Sequence, residues 1–357
     1  MMLMKKIRSF MLTFALLLTA NMALRAQDET VVKATIIEEA STEAGKYYNS
    51  GIENFKAGKF TEAIGDFSKA IELKPGFEQA FYNRGITYYE QKDFLKAITD
   101  MDSAIQIKPS AESYFTRGRS NEALGNIDAA ITDYGKAVEN NPSHAQAFYY
   151  RGVLKFNSAD YNGAVSDFTS AINNNKSYAY AYNDRGSSKR QLGDLKGAIE
   201  DYKAALMIDN TLSFTHNNLG SAKRKSGDIK GSVNDFSKAI GLDAKYVIAY
   251  NNRGSAKYDL EDYQGAVQDF TKAIELDSKY AYAYNNRAAA KFKLKDFKGA
   301  IEDCNKAIEL DPSYGYAYLN RGNAKELVRD DQGACEDWKK AAELGVESAK
   351  NHMSDCY

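Results

Sequence analysis

Residues 247–280 read VIAYNNRGSAKYDLEDYQGAVQDFTKAIELDSKY, and residues 281–314 read AYAYNNRAAAKFKLKDFKGAIEDCNKAIELDPSY. The second segment repeats the first almost column for column, and the same phrase recurs in both directions along the chain. Gly254 has counterparts at Gly51, Gly85, Gly118, Gly152, Gly186, Gly220 and Gly322, with Ala288 in the same column, and the step is 34 residues except for one of 33. Twelve residues after each comes alanine, with Ser232 once. Four further on stands a larger or sulfur-bearing residue (Phe67, Met101, Tyr134, Phe168, Tyr202, Phe236, Phe270, Cys304, Trp338), and three beyond that an alanine in all nine copies, Ala70 to Ala341. A period of this length signals an array of supersecondary units rather than the two compact domains that 357 residues would otherwise suggest. Each unit reads as two helices; Ala80–Gln91, for example, turns at Lys92–Asp93 into Phe94–Ile107. Neither helix can bury its apolar stripe alone, so successive pairs must stack into one running core. Prolines are confined to Pro75, Pro109, Pro142 and Pro312, where repeats close, which leaves the helices unbroken.

These columns resemble the tetratricopeptide repeat, in which small residues sit where two helices approach and large ones fill the gap. The resemblance covers residues 44–348. It implies an all-α, right-handed superhelical solenoid of nine helix-turn-helix repeats, bounded at 44–77, 78–110, 111–144, 145–178, 179–212, 213–246, 247–280, 281–314 and 315–348. Residues 349–357 are expected to form a capping helix, with Ala349, Met353 and Tyr357 turned inward.

Two departures from the family pattern stand out. Where the family has tryptophan early in the first helix, this chain has Tyr47, Phe81, Tyr114, Phe148, Tyr182, Tyr250, Tyr284 and Tyr318, with His216 once; core packing would explain much of the excess of 25 tyrosines. Where the family has leucine before the glycine, seven repeats have arginine (Arg84, Arg117, Arg151, Arg185, Arg253, Arg287, Arg321). Sixteen residues later all nine have aspartate, from Asp66 to Asp337. Guanidinium and carboxylate match as a bidentate pair. Pairing inside each repeat is the structural reading, ligand binding the alternative. Ser50 and Leu219 would leave Asp66 and Asp235 without that partner.

In this family the first helices line the groove that takes ligands. Two residues before the glycine column asparagine recurs (Asn49, Asn83, Asn218, Asn252, Asn286, Asn320, with Asp184 once), and one residue earlier lies a second run, Asn183, Asn217, Asn251 and Asn285. A carboxamide both donates and accepts, so such a ladder can hold a peptide backbone whatever its side chains; the alternative is that these asparagines merely solvate an empty groove. Tyr180, Phe214, Tyr282 and Tyr316 lie alongside as apolar contacts. Thr116 and Tyr150 interrupt the ladder. Positions where relatives carry lysines that clamp a C-terminal carboxylate hold Gln79, Glu112, Gln146 and Tyr180 here, which rejects that ligand class. The expected partner is therefore a protein or extended peptide. A structural subunit of an envelope assembly, working through its convex face or ends, is the alternative.

Other chemistry is missing from the sequence. His144, His216 and His352 fall in no spaced set of metal ligands, and no phosphate-binding glycine loop or nucleophile motif is present. No enzyme activity and no cofactor is expected. A net charge of −1 with no basic patch argues against nucleic acid.

Lys5, Lys6 and Arg8 precede an apolar run over 10–18, with small residues at Ala20 and Ala23. This describes a secretory signal peptide over residues 1–26, cleaved near Ala26, followed by a polar linker over 27–43; an uncleaved membrane anchor is the alternative. The product would be periplasmic or secreted, and the absence of a nearby cysteine argues against a lipid anchor. Cys304 falls in a core column. Cys335 opens the last repeat's second helix and Cys356 ends the cap, so the two are a candidate disulfide in an oxidising compartment.

Overall fold

A computed structural model describes residues 42–356. The signal-peptide and linker assignments, and Tyr357, lie outside the described residues, as does the side chain of Met353. The described chain is all helical: eighteen α-helices, from Glu43–Lys56 and Phe60–Leu73 to Gly315–Leu327 and Asp331–Glu343, followed by a 3₁₀ segment, Glu347–Asp355, and within each unit successive helices pack in pairs. The expected helices of the second repeat are found as Glu78–Glu90 and Phe94–Ile107. The chain divides into two units, one ending at Leu192 and the other beginning at Gly193, and each is described by itself.

The turn inside each repeat follows from local chemistry. One residue adopts the left-handed conformation at the same place in each repeat: Gly58, Lys92, Gly125, Ala159, Gly193, Gly227, Glu261, Lys295 and Arg329. The second helix is then capped in most repeats by an aspartate. Asp160, Asp194, Asp228, Asp262, Asp296 and Asp330 each accept the backbone N–H of the glycine three residues on, at 2.8–3.0 Å.

The glycine column exists because a large side chain, in most repeats a ring, lies on it. At Gly51, Gly85, Gly118, Gly152, Gly220, Gly254 and Gly322, a Cβ would stand 2.5–2.9 Å from the large side chain sixteen residues on, inside van der Waals contact. Repeat eight solves the problem from the other side, with Ala288 facing the small Cys304, and both are fully buried in one cluster. Burial pushes the Cys304 thiol up to about 12, so it behaves as a small apolar filler.

Both ends of the array are marked. Ala80, Ala147, Ala181, Ala249, Ala283 and Ala317 are fully buried, but the first repeat has an exposed Lys46 in that column. At the other end the closing segment differs from the expected helix: it is 3₁₀ and starts at Glu347 rather than residue 349. Val346 and Ala349 are buried against Ala341, and His352 stacks on Trp338 at 4.9 Å with 22° between planes. Cys335 and Cys356 are joined by a disulfide, with Sγ atoms 2.07 Å apart.

The arginine–aspartate columns pair within the repeat. Arg84–Asp100, Arg117–Asp133, Arg151–Asp167, Arg253–Asp269, Arg287–Asp303 and Arg321–Asp337 all close at 2.6–2.7 Å. Most arginines of this column do more than that. Nη1 of Arg84, Arg185, Arg253, Arg287 and Arg321 donates to Ser68, Thr169, Ser237, Thr271 and Asn305 of the preceding repeat, so one guanidinium bolts two repeats together. The aromatic residue three positions earlier is not core, as the family pattern suggested. It is half-buried and forms the platform under the guanidinium, as at Tyr250–Arg253 and Tyr284–Arg287, both 5.6 Å.

Asp66 and Asp235 lack the arginine, as expected, and have other partners. Ser50 Oγ and Asn54 Nδ2 donate to Asp66 at 2.7 and 2.8 Å, and Lys223 pairs with Asp235 at 2.6 Å. Lys223 belongs to a further column, in which Lys155, Lys257, Lys291 and Lys325 add a second cation to their aspartates at 2.8–2.9 Å. Repeat two has Tyr88 in that column, and there burial, opposed by Arg84 alone, holds Asp100 above the usual carboxylate range. The surroundings also differ at Leu219, which stands in the arginine column. The equivalent place in the preceding repeat, which is Ser68, Thr169, Ser237, Thr271 or Asn305 for other members of the column, is Lys203, and a lysine has only donors to offer. Leu219 instead joins Ala198, Tyr202 and Ala222 in the core.

Candidate binding face on the first helices

Residues at i, i+3, i+4 and i+7 share one helix face. In the eighth repeat this stripe is Tyr282, Asn285, Asn286 and Ala289; in the ninth it is Tyr316, Leu319, Asn320 and Asn323. The predicted asparagines and aromatics therefore do lie together along the first helices.

Within the second unit the asparagines are bonded to each other across repeats. Asn252 Nδ2 donates to Asn217 Oδ1 at 2.9 Å, Asn286 to Asn251 at 3.0 Å, and Asn320 to Asn285 at 2.9 Å. The run one position earlier is the buried half of each latch: Asn217, Asn251 and Asn285 lie in the interior, while Asn218, Asn252, Asn286 and Asn320 keep an open edge. Asn285 also donates to the Tyr314 hydroxyl at 3.1 Å. The last repeat, with no tenth pair to receive, has Leu319 in the buried position, packed under the 3₁₀ cap.

The first unit uses the same two positions with different chemistry. Asn83 Nδ2 donates to the Tyr48 hydroxyl at 2.8 Å, and the Tyr149 hydroxyl donates to Asp184 at 2.8 Å. Between them, where Thr116 and Tyr150 break the ladder, Phe115 and Tyr150 meet ring to ring at 5.8 Å, and Arg119 lies 4.1 Å over the Tyr150 ring. Asn183 is buried and donates to Asp184 at 2.9 Å.

Sequence reading thus placed these residues on one face and missed the latch. The signal was there: Asn217 and Asn252 are one repeat plus one residue apart, and so is every other latch pair of this unit. The latch uses one N–H of Asn252, Asn286 and Asn320 and leaves each carbonyl oxygen facing outward with no protein donor among the described residues. Of the aromatics, Tyr316 is 58% and Tyr282 37% exposed, Tyr282 tilting against Tyr314 at 4.9 Å; Tyr180 and Phe214 are half-buried.

Tetratricopeptide repeat models match residues 51–92, 78–110, 115–156, 179–212, 215–246, 247–280 and 281–314. The chain is a tetratricopeptide repeat protein. Among solved structures it is similar to a tetratricopeptide repeat protein from Parabacteroides merdae, at 19% identity over 68% of this chain and 97% of that one, TM-score 0.56. The Cut9–Hcn1 hetero-tetramer of the APC/C matches at 14% identity over 88% and 76%, TM-score 0.56. A crystal structure of MamA matches at 31% identity over 46% of this tetratricopeptide repeat chain and 96% of its own, TM-score 0.42. No curated protein sequence matches. Among the described residues no helix is long and apolar enough to cross a membrane, and no group of three His, Cys, Asp or Glu side chains is placed to hold a metal.

Proposed function

We propose that this tetratricopeptide repeat protein is a non-enzymatic scaffold that holds an extended peptide, or an extended segment of a partner protein, along the first helices of its second unit. The observation that carries this reading is the pairing of exposed rings with outward carbonyls. Tyr282 and Tyr316 offer apolar surface that the fold leaves uncovered, next to the acceptors of Asn286 and Asn320, and a peptide backbone supplies the matching N–H groups. The latch strengthens the case, because side chains already fixed by neighbouring repeats lose little further freedom when a ligand binds.

The same reading places the protein outside the cytoplasm. Its support is the basic and apolar N-terminal sequence together with the Cys335–Cys356 bond, which belongs to an oxidising compartment.

The test is selection of displayed random 12-residue peptides on immobilised protein, wild type against Tyr282→Ala/Tyr316→Ala. Both residues are surface-exposed, so the fold is retained. Peptides kept by the wild type and lost by the variant support the reading. Equal retention moves the function to the outer helices, where Leu95 and Met207 are the most exposed apolar side chains, and favours the assembly alternative.

A further inference from the structure

Asp184 occupies a column that is asparagine in six other repeats, and it differs from the buried aspartates of the array in its company. Asp100, Asp133, Asp167, Asp235, Asp269, Asp303 and Asp337 each have an arginine or lysine nitrogen at 2.6–2.7 Å. Asp184 has two neutral donors only, the Tyr149 hydroxyl at 2.8 Å and Asn183 Nδ2 at 2.9 Å. Its surroundings disfavour the ionised form. Dense packing around the carboxyl pushes it up to about 6, the two hydrogen bonds oppose that, and no cation contributes.

An asparagine would meet both neighbours without a charge. Its carbonyl would accept from Tyr149 or from Asn183 Nδ2 as the carboxylate does, without a charge to desolvate. The carboxylate therefore lowers the stability of the array, and it does so on the first-helix face, where it keeps a partly exposed edge. Two hydrogen bonds leave about half of a carboxylate's lone-pair sites open. A metal ion would need companion ligands that the described residues do not supply. The missing partner is a single positive charge brought from outside.

We propose that Asp184 is a recognition point for a lysine or arginine side chain of a polypeptide bound on the first-helix face of the first unit. The proposal rests on the reading that first-helix faces take extended polypeptide. It adds a specificity that a carboxamide ladder alone lacks, because carboxamides grip any backbone while Asp184 selects by charge.

The test is the same random 12-residue peptide selection at pH 7.5, on wild type and on Asp184→Asn, a variant that restores the residue of the column and melts no lower than wild type. The wild-type pool becomes enriched in lysine and arginine at one position, and the variant pool does not. For individual selected peptides, changing that basic residue to glutamine weakens binding to wild type by about tenfold or more and leaves binding to the variant within about twofold. Equal loss on both proteins, or peptide pools without basic enrichment, overturns the proposal while leaving the face as a binding surface. If neither protein retains any peptide, the reading on which the proposal rests fails, and the proposal with it.

Discussion

Repeat eight offers a demanding check on the packing argument, because two columns change there together. Elsewhere glycine faces a ring or, at Gly85, the Met101 side chain; here Ala288 faces Cys304. Changing Cys304→Phe alone drives a ring against the Ala288 methyl, where the neighbouring repeats show a separation of about 2.8 Å instead of the 3.5–4.0 Å that carbon atoms need. Overpacking of this degree costs roughly 1–3 kcal/mol. Changing Ala288→Gly alone costs about 1 kcal/mol in helix propensity and leaves a small void over the cysteine. Made together, the two changes recreate the glycine–ring contact of the other repeats, and stability returns to within about 1 kcal/mol of wild type. The double-mutant cycle should therefore show a favourable coupling of about 2 kcal/mol or more. Urea unfolding gives the totals, and hydrogen exchange over Phe297–Leu310 locates the effect, since each repeat answers mainly to its neighbours. Additivity within about 0.5 kcal/mol would refute the claim that the glycine column exists to admit the ring.

Replacing the left-handed Lys92, Glu261 and Lys295 by glycine removes backbone strain of about 1 kcal/mol each and should raise the urea midpoint; a lowered midpoint would show that the side chains themselves hold the turn. Asp184→Asn should stabilise by roughly 1–3 kcal/mol at pH 7–8. The native carboxyl is raised to about 6 from an ordinary value near 3.8, so its penalty is full above about 6 and gone below about 3.8, and the advantage of the variant should fade as pH falls to 4; a constant difference across that range contradicts the assignment. Reducing the Cys335–Cys356 bond removes a closure worth about 3 kcal/mol for its 21-residue span, with faster hydrogen exchange confined to Glu347–Asp355 and the last repeat; Cys356→Ser should reproduce this, and unchanged exchange would show that the bond does not hold the cap.

What was legible in the sequence followed from repetition. A glycine facing Phe270 is one residue among 357, but a glycine column over a ring column is a pattern, and Arg253–Asp269 was readable for the same reason. What escaped notice lies between columns. Asn217 and Asn252 belong to two runs that were each visible, yet their bond joins one run of one repeat to the other run of the next. Ala288 and Cys304 each looked like a lapse from its column until set face to face. The tyrosines of the Tyr250 column were assigned to the core by analogy with tryptophan. In the structure they are half-buried, and where an arginine follows three residues on the guanidinium lies over the ring. Leu219 in the arginine column stands opposite Lys203 of the preceding repeat, a relation visible only when two repeats are read together.

The most direct test of the account is photo-crosslinking in native cells, with p-benzoylphenylalanine placed in turn at positions 282 and 316 on the first helices and at 95 and 207 on the second helices. The account predicts that one polypeptide partner is captured from 282 and 316, through a contiguous stretch of its chain, and from neither outer position. Capture from 95 and 207 alone would contradict it and make the outer helices the working surface.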